Sequence, residues 1–192
     1  YKQEEFLSKQ RALELWDSGD IDKIETGTFK GLAEIHRYIF QDVYSFAGEL
    51  RSVNIAKGNF RFAPVLYLEA SIKEIEKMPQ NTFEECVDKY VEMNVAHPFR
   101  EGNGRSGRIW LDKMLKAAVG KCIDWSQIDK ESYLSAMERS PVNSLEIKHL
   151  LSSALITDIS SREIYMKGID NSYRYEDANN VSIFDVDKFH IR

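Results

Sequence analysis

The sequence predicts an all-α domain, a compact helical bundle carrying one small β-hairpin. Three observations lead there. Apolar residues recur at helical spacing through most of the 192-residue chain, the four prolines and ten glycines fall between those periodic segments, and a single clear stretch alternates with the period of a strand. A chain of this length buries about 70% of its extended surface and needs no disulfide or zinc scaffold.

Residues 2–18 place Phe6, Leu13 and Trp16 near helical spacing and stop at Ser18-Gly19-Asp20. Thr28 caps a second helix whose Leu32, Ile35, Ile39, Phe40 and Val43 form one apolar stripe. From Arg51 to Ala63 the rhythm changes: Val53/Ile55 and Phe60/Phe62 alternate about Gly58-Asn59, a hairpin signal. A two-stranded hairpin is marginal alone in water, so it must lie on the helical body or act as a mobile flap. Residues 66–77 bring Leu68, Ile72 and Ile75 onto one face before Pro79. Thr82-Phe83-Glu84-Glu85 is a capping box opening a helix through Val87, Tyr90, Val91 and Asn94, which Pro98 ends. Another helix runs from about Asn103 to Ala118 and closes at Gly120. Two or three more occupy 129–168, with Leu145, His149 and Ser152 along one face of the longest. From Ala178 to Arg192 the alternation is weak, and between a short strand and a loosely held tail we read 179–192 as a tail.

Composition excludes several classes. The formal net charge is −5 and the pI near 5.5, so no global basic field invites nucleic acid or an anionic membrane. No apolar run reaches the roughly 18 residues that span a bilayer, and no signal-peptide core is visible. Cys86 and Cys122 have neither metal-ligand spacing nor a framework count, which suits a reducing cytoplasm. The expectation is a soluble, cytoplasmic protein. Opening on Tyr1 and not Met, the chain is expected to lack its native start.

The chemistry concentrates in residues 97–108, His-Pro-Phe-Arg-Glu-Gly-Asn-Gly-Arg-Ser-Gly-Arg. Pro98 forbids continuation of the helix that His97 ends, and Gly102-Asn103-Gly104 turns tightly into the next. That helix points its unpaired N–H groups and positive dipole end back at the turn, an anion site. Arg105 and Arg108 share one helix face, able to hold two phosphates of one chain. Glu101 supplies a single carboxylate beside them, which suits Mg²⁺ completed by substrate phosphates. His97 alone in the segment has an ordinary pKa near neutrality and is the general-base candidate. His36, His149 and His190 read as ordinary satisfied residues. Without a Lys-Ser/Thr or a preceding strand, Walker and Rossmann readings fail.

This segment resembles the signature of the Fic family, His-x-Phe-x-(Asp/Glu)-Gly-Asn-Gly-Arg-x-x-Arg, with every defined position filled. The resemblance implies the Fic fold, with a catalytic domain over 1–160 (flap about 51–63, signature 97–108), a C-terminal inhibitory helical segment over 161–178 and the tail beyond. It implies a bacterial, Mg²⁺-dependent protein adenylyltransferase moving AMP from ATP to a Tyr, Thr or Ser hydroxyl of a target protein, with release of pyrophosphate. Carried over by position, His97 deprotonates that hydroxyl, Phe99 anchors the loop and Glu101 holds Mg²⁺. Asn94, Gly102, Asn103, Gly104, Arg105 and Arg108 bind the nucleotide. In the flap, Lys57, Gly58, Asn59 and Phe60 border the nucleotide, while Ile55 and Phe62 dock the target as an added strand. Relatives that transfer phosphate or phosphocholine are the alternative enzymes, and a silent nucleotide-binding regulator is the alternative class. The phosphate-transferring relatives have a degraded Gly-Asn-Gly-Arg, whereas Gly102 to Arg105 are intact here.

Ser172-Tyr173-Arg174-Tyr175-Glu176-Asp177 resembles the inhibitory motif (Ser/Thr)-x-x-x-Glu-(Gly/Asn) of autoinhibited Fic proteins, departing only at Asp177. The resemblance pairs Glu176 with Arg108, excluding the γ-phosphate. Holding 99% of molecules closed takes about 2.7 kcal/mol. An exposed Glu–Arg pair supplies about 0–1 kcal/mol, so burial of Ile164, Ile169 or Tyr173 must contribute. Tyr173 and Tyr175 flank the brake and are candidates for self-modification, and homo-oligomerisation is a candidate release route.

Overall fold

The computed structural model describes residues 2–176 and 181–184. Asp177, His190 and the expected tail at 179–180 and 185–192 lie outside the described residues. Eight helices follow in order: α1 (Lys2–Asp17), α2 (Phe29–Phe40), α3 (Val65–Glu76), α4 (Phe83–Ala96), α5 (Asn103–Val119), α6 (Lys130–Arg139), α7 (Leu145–Ser152) and α8 (Arg162–Arg174). Strands β1 (Asn54–Lys57) and β2 (Phe60–Arg61) make the hairpin. Strands β3 (Cys122–Ile123) and β4 (Leu155–Ile156) make a separate antiparallel ribbon that the sequence did not announce.

The caps form where the residue types put them. The Thr28 hydroxyl accepts from the Gly31 N–H at 3.1 Å, and that of Thr82 from the Glu85 N–H at 3.1 Å. α3 buries Leu68, Ile72 and Ile75, as its spacing requires. α4 and α5 form the centre of the core, contributing Val87, Tyr90 and Val91 from one side and Trp110, Leu111, Met114 and Leu115 from the other.

Four expectations need correction. On α1 the buried residues are Ser8, Ala12 and Leu15, while Phe6 faces solvent. α8 lies close along this face: the Tyr165 hydroxyl donates to the Ala12 carbonyl at 2.7 Å and Tyr173 bonds Ser8, an approach that needs small side chains. Val43 lies past the end of α2, in the turn that follows. In the C-terminal third α8 is the longest helix, and Leu145, His149 and Ser152 belong to the short α7, where they face solvent. Finally, part of the expected tail is a strand. β5 (Val181–Phe184) pairs antiparallel with β1 and completes a sheet of order β2-β1-β5. Without β5 the outer edge of β1 would present an unpaired row of backbone donors and acceptors, and four residues of alternation are too few to advertise a partner so distant in sequence.

Among the described residues no helix is long and apolar enough to cross a membrane.

Candidate active site

α4 ends at His97, whose φ of 52° is left-handed, the only such non-glycine among the described residues. The residue before Pro98 is steered away from helical geometry, and this twist turns the imidazole out of the helix line. Nδ1 lies 2.9 Å from the Asn94 carbonyl, which can only accept, so Nδ1 carries the proton and Nε2 keeps its lone pair. The Phe62 ring stacks on the imidazole at 3.7 Å, with the planes 11° apart. Burial pushes the His97 pKa down to about 4, so the ring is neutral at physiological pH. Asn94 thus meets His97 through its backbone carbonyl, which orients the imidazole.

One buried arginine ties the hairpin to this histidine. Arg51 donates from Nε to the His97 carbonyl at 2.6 Å and from Nη2 to those of Ala96 at 2.9 Å and Ala63 at 2.5 Å. Nη1 reaches the Val53 carbonyl at 2.8 Å, and the Arg51 N–H donates to the Pro98 carbonyl at 2.9 Å. Both legs of the hairpin and the end of α4 therefore converge on one guanidinium. Carbonyl partners carry no residue-type signature, so nothing in the sequence marks Arg51 for this role.

The loop after His97 is braced from beneath. Phe99 is fully buried and stacks on His36 with ring centroids 3.9 Å apart. Asn103 spans the loop in both directions: Oδ1 accepts from the Phe99 N–H at 2.9 Å and Nδ2 donates to the Phe99 carbonyl at 2.6 Å. His36, expected to be an ordinary satisfied residue, is satisfied by the site itself. The Gly48 N–H donates to its Nδ1 at 2.9 Å, so Nε2 carries the hydrogen and donates to the Glu101 carbonyl at 2.8 Å. Burial pushes this ring also to about 4. Gly102 turns the chain with φ 83°, and a Cβ there would come 2.4 Å from the Phe40 ring.

α5 begins at this turn, and its first residues form a concave, cationic end. Arg105 lies over the Phe40 ring at 4.7 Å and the Tyr173 ring at 5.2 Å, donates to the Tyr44 hydroxyl at 3.2 Å, and leaves its buried Nε without a hydrogen-bond partner. Arg108 is almost wholly buried. Its Nε donates to the Ser172 hydroxyl at 2.7 Å, and Nη2 to the Ser172 carbonyl at 2.9 Å and Glu176 Oε1 at 2.6 Å. That same Oε1 lies over the start of α5, where a Cβ on Gly104 would meet it at 2.6 Å. Burial works to raise the Glu176 carboxyl, but Arg108 and Arg105 outweigh it and hold it below the usual carboxylate range. Glu101, nearby, is raised by burial against the opposing charge of Arg105.

α8 holds this carboxylate in place through more than one ion pair. Ile169, Ser172 and Tyr175 are buried, and the Tyr175 hydroxyl donates to the Trp125 and Ile128 carbonyls at 2.8 and 2.6 Å. Ile164 and Tyr173 are only half-buried. In the flap, Ile55 and Phe62 are buried on the site side. Lys57 is half-buried and its charge reaches His97, while Gly58, Asn59 and Phe60 stand exposed at the tip.

Residues 27–115 match the Fic/DOC family. A protein of Sinorhizobium fredii named probable protein adenylyltransferase y4lH is 32% identical over 149 residues, 71% of this chain and 74% of that protein. This chain belongs to the Fic/DOC family. Another member, the probable protein adenylyltransferase Fic of Escherichia coli K12, is 29% identical over 143 residues, 69% of this chain and 71% of that one. The Fic architecture is shared with the BepC protein of Bartonella tribocorum, solved with bound AMPPNP: TM-score 0.67 at 21% identity, over 81% of this chain and 86% of that one. The matched Fic segment contains His97, the loop and both arginines of α5, whereas α1, α8 and Glu176 lie outside it.

Proposed function

We propose that this Fic protein transfers AMP from ATP to a hydroxyl side chain of a protein, and that Glu176 restrains the reaction. The observation that carries the reading is a carboxylate seated in an anion cradle: Glu176 Oε1 against Arg108 and over Gly104. A helix N-terminus flanked by two arginines selects negative charge, and a phosphate oxygen is what such a site otherwise holds. The names of the Sinorhizobium and Escherichia relatives support nucleotide transfer to protein.

In this mechanism the neutral Nε2 of His97 takes the proton of the incoming hydroxyl. The oxygen attacks the α-phosphorus, the bond from that phosphorus to the bridging oxygen breaks, and pyrophosphate leaves. Backbone N–H groups at the start of α5 and the guanidiniums of Arg105 and Arg108 bind the β- and γ-phosphates, so positioning and electrostatics supply most of the catalysis. Asn103 keeps the loop in shape. Among the described residues no cluster of three or more metal-ligating side chains exists. One carboxylate, Glu101, beside a phosphate cradle fits Mg²⁺, which takes its remaining ligands from phosphates and water. When bound, Mg²⁺ would neutralise phosphate charge there. With Glu176 in place, the γ-phosphate and the carboxylate compete for Arg108. Tyr173 over Arg105 and Tyr175 beneath Arg108 become acceptors for self-modification only if α8 leaves its seat.

Wild type, His97→Ala and Glu176→Gly are incubated with α-labelled ATP, Mg²⁺ and bacterial lysate. Label on protein is expected to be strongest with Glu176→Gly and absent with His97→Ala. Label surviving in the His97→Ala sample would remove His97 as the base.

A further inference from the structure

We propose that residues 181–184 are a built-in pseudosubstrate strand, filling the acceptor edge of the hairpin with side chains that cannot be modified. The proposal rests on the AMP-transfer reading and on the hairpin as the place where a target strand adds. The pairing defines it: Asn54 faces Phe184, Ile55 faces Ile183, Ala56 faces Ser182 and Lys57 faces Val181. β2 takes the other edge of β1, so with β5 in place β1 has no edge left for a strand of another protein.

Register then decides which side chains of β5 look toward the base. On the hairpin, Lys57 opposes Phe60, and the Phe62 N–H donates to the Ile55 carbonyl at 3.2 Å, continuing the ladder. Residues directly opposite share a face, and alternate residues along a strand return to it. Ile55, Lys57, Phe60 and Phe62 therefore lie on one face, and Phe62 on that face stacks against His97. Val181 and Ile183 share it. Ser182 and Phe184 lie on the other face with Ala56 and Arg61, and the Arg61 guanidinium sits 5.0 Å over the Phe184 ring. The only hydroxyl in the strand is thus turned away from the base, and the positions turned toward it hold an aliphatic valine and isoleucine.

Phe62, Ile55 and Ile183 form one row across the sheet, so Ile183 stands two strand spacings, about 10 Å, from the ring that covers His97. A long side chain at 183 spans much of that gap; isoleucine neither spans it nor offers an oxygen. The hold on β5 is also of a displaceable kind. Ile183 is 51% exposed and Val181 36%, so backbone pairing more than burial retains the strand, and a target strand with the same backbone competes for it. Val181 follows Glu176 by five residues, so one short stretch covers both the phosphate cradle and the acceptor edge.

The test uses all 192 residues with Glu176→Gly, which removes the competing carboxylate. Added Ile183→Tyr puts a phenol on the His97 face, and added Ser182→Tyr puts one on the opposite face. With ATP and Mg²⁺, the phenol oxygen at 183 bonds the α-phosphorus, pyrophosphate leaves and the proton goes to His97. Peptide mass spectrometry is expected to find AMP on position 183 at least ten times more than on position 182; equal occupancy, or none at 183, overturns the assigned register. In a second variant, Ala56→Cys with Ser182→Cys, oxidation ties β5 to β1 and reduction frees it. Labelling of lysate proteins is expected to fall at least tenfold on oxidation and return on reduction, while binding of a fluorescent ATP analogue stays constant. Labelling equal in the two states overturns the proposal and leaves AMP transfer standing. No labelling by the Glu176→Gly parent overturns the AMP-transfer reading, and this proposal with it.

Discussion

Replacing Glu176 by glycine isolates the carboxylate from the helix that carries it. The position lies just past the end of α8, so glycine there interrupts no helical turn. What is lost is one charge-assisted hydrogen bond, Arg108 Nη2 to Oε1 at 2.6 Å. Such bonds contribute about 1.5–3 kcal/mol, and because a third of the Glu176 side chain (33%) remains exposed, the lower part of that range applies. Removing about 1.5–2 kcal/mol from a closed bias of about 2.7 kcal/mol leaves roughly 1 kcal/mol. At tenfold per 1.4 kcal/mol, AMP transfer should rise about 10- to 30-fold. The two Ser172 contacts and the two Tyr175 hydrogen bonds persist, so α8 should stay docked. The assay is the initial rate of AMP incorporation from α-labelled ATP, with melting curves run with and without nucleotide. Glu176→Gln, which keeps the shape and loses the charge, should fall between wild type and Glu176→Gly. A Glu176→Gly rate equal to wild type would refute the idea that this carboxylate competes with a phosphate.

The pH dependence follows from two neutral histidines. With a pKa near 4, His97 remains an unprotonated base from pH 5 to 8, so the Glu176→Gly rate should show no inflection near 6.5; one there contradicts the buried, neutral imidazole. His36 is likewise near 4 when folded, against about 6.5 unfolded. Between those values the unfolded chain binds more protons, so stability is lost as pH falls from about 6.5 to about 4, by up to roughly 3 kcal/mol. His97 shifts in the same direction by a similar amount, so urea midpoints at pH 7 and 4.5 should show the combined loss, and His36→Gln should reduce the difference by about half. Arg51→Lys cannot serve four carbonyls with one ammonium, so kcat and the melting temperature should fall while the KM for ATP, set by the cradle on α5, holds steady. Gly104→Ala places a methyl 2.6 Å from Glu176 Oε1 and 2.8 Å from Arg108 Nη1, filling the cradle. Calorimetry should then find ATP affinity reduced with helix content unchanged.

The centre of this site was legible because its parts are contiguous. A helix end, a turn and a helix start within residues 97–108 leave glycines, a carboxylate and arginines at fixed spacing. Glu176 was legible for a similar reason, as one turn of helix with Ser172. The supports were not. Arg51 and His36 reach backbone atoms as far as 46 and 65 positions away, and a carbonyl partner leaves no trace in residue identity. The buried face of α1 was misread because apolar periodicity favours large side chains, whereas contact with α8 selects Ser8 and Ala12. β5 escaped because its stability is borrowed from an edge about 125 residues earlier, a non-local pairing that four alternating residues cannot signal.

The depth of Arg108 has a further consequence for how the proposed restraint would be released. A guanidinium this far from water, with its side chain 4% exposed, is less stable without a counter-anion than with one, by about the 1.5–2 kcal/mol set for the Glu176 contact. Under the proposed function it has two suitors, the Glu176 carboxylate and the terminal phosphate of ATP. The state in which neither is present is the unstable one. Release of the restraint and arrival of nucleotide are then a single exchange of anions, and the prevailing ATP concentration becomes part of the signal that the protein reads.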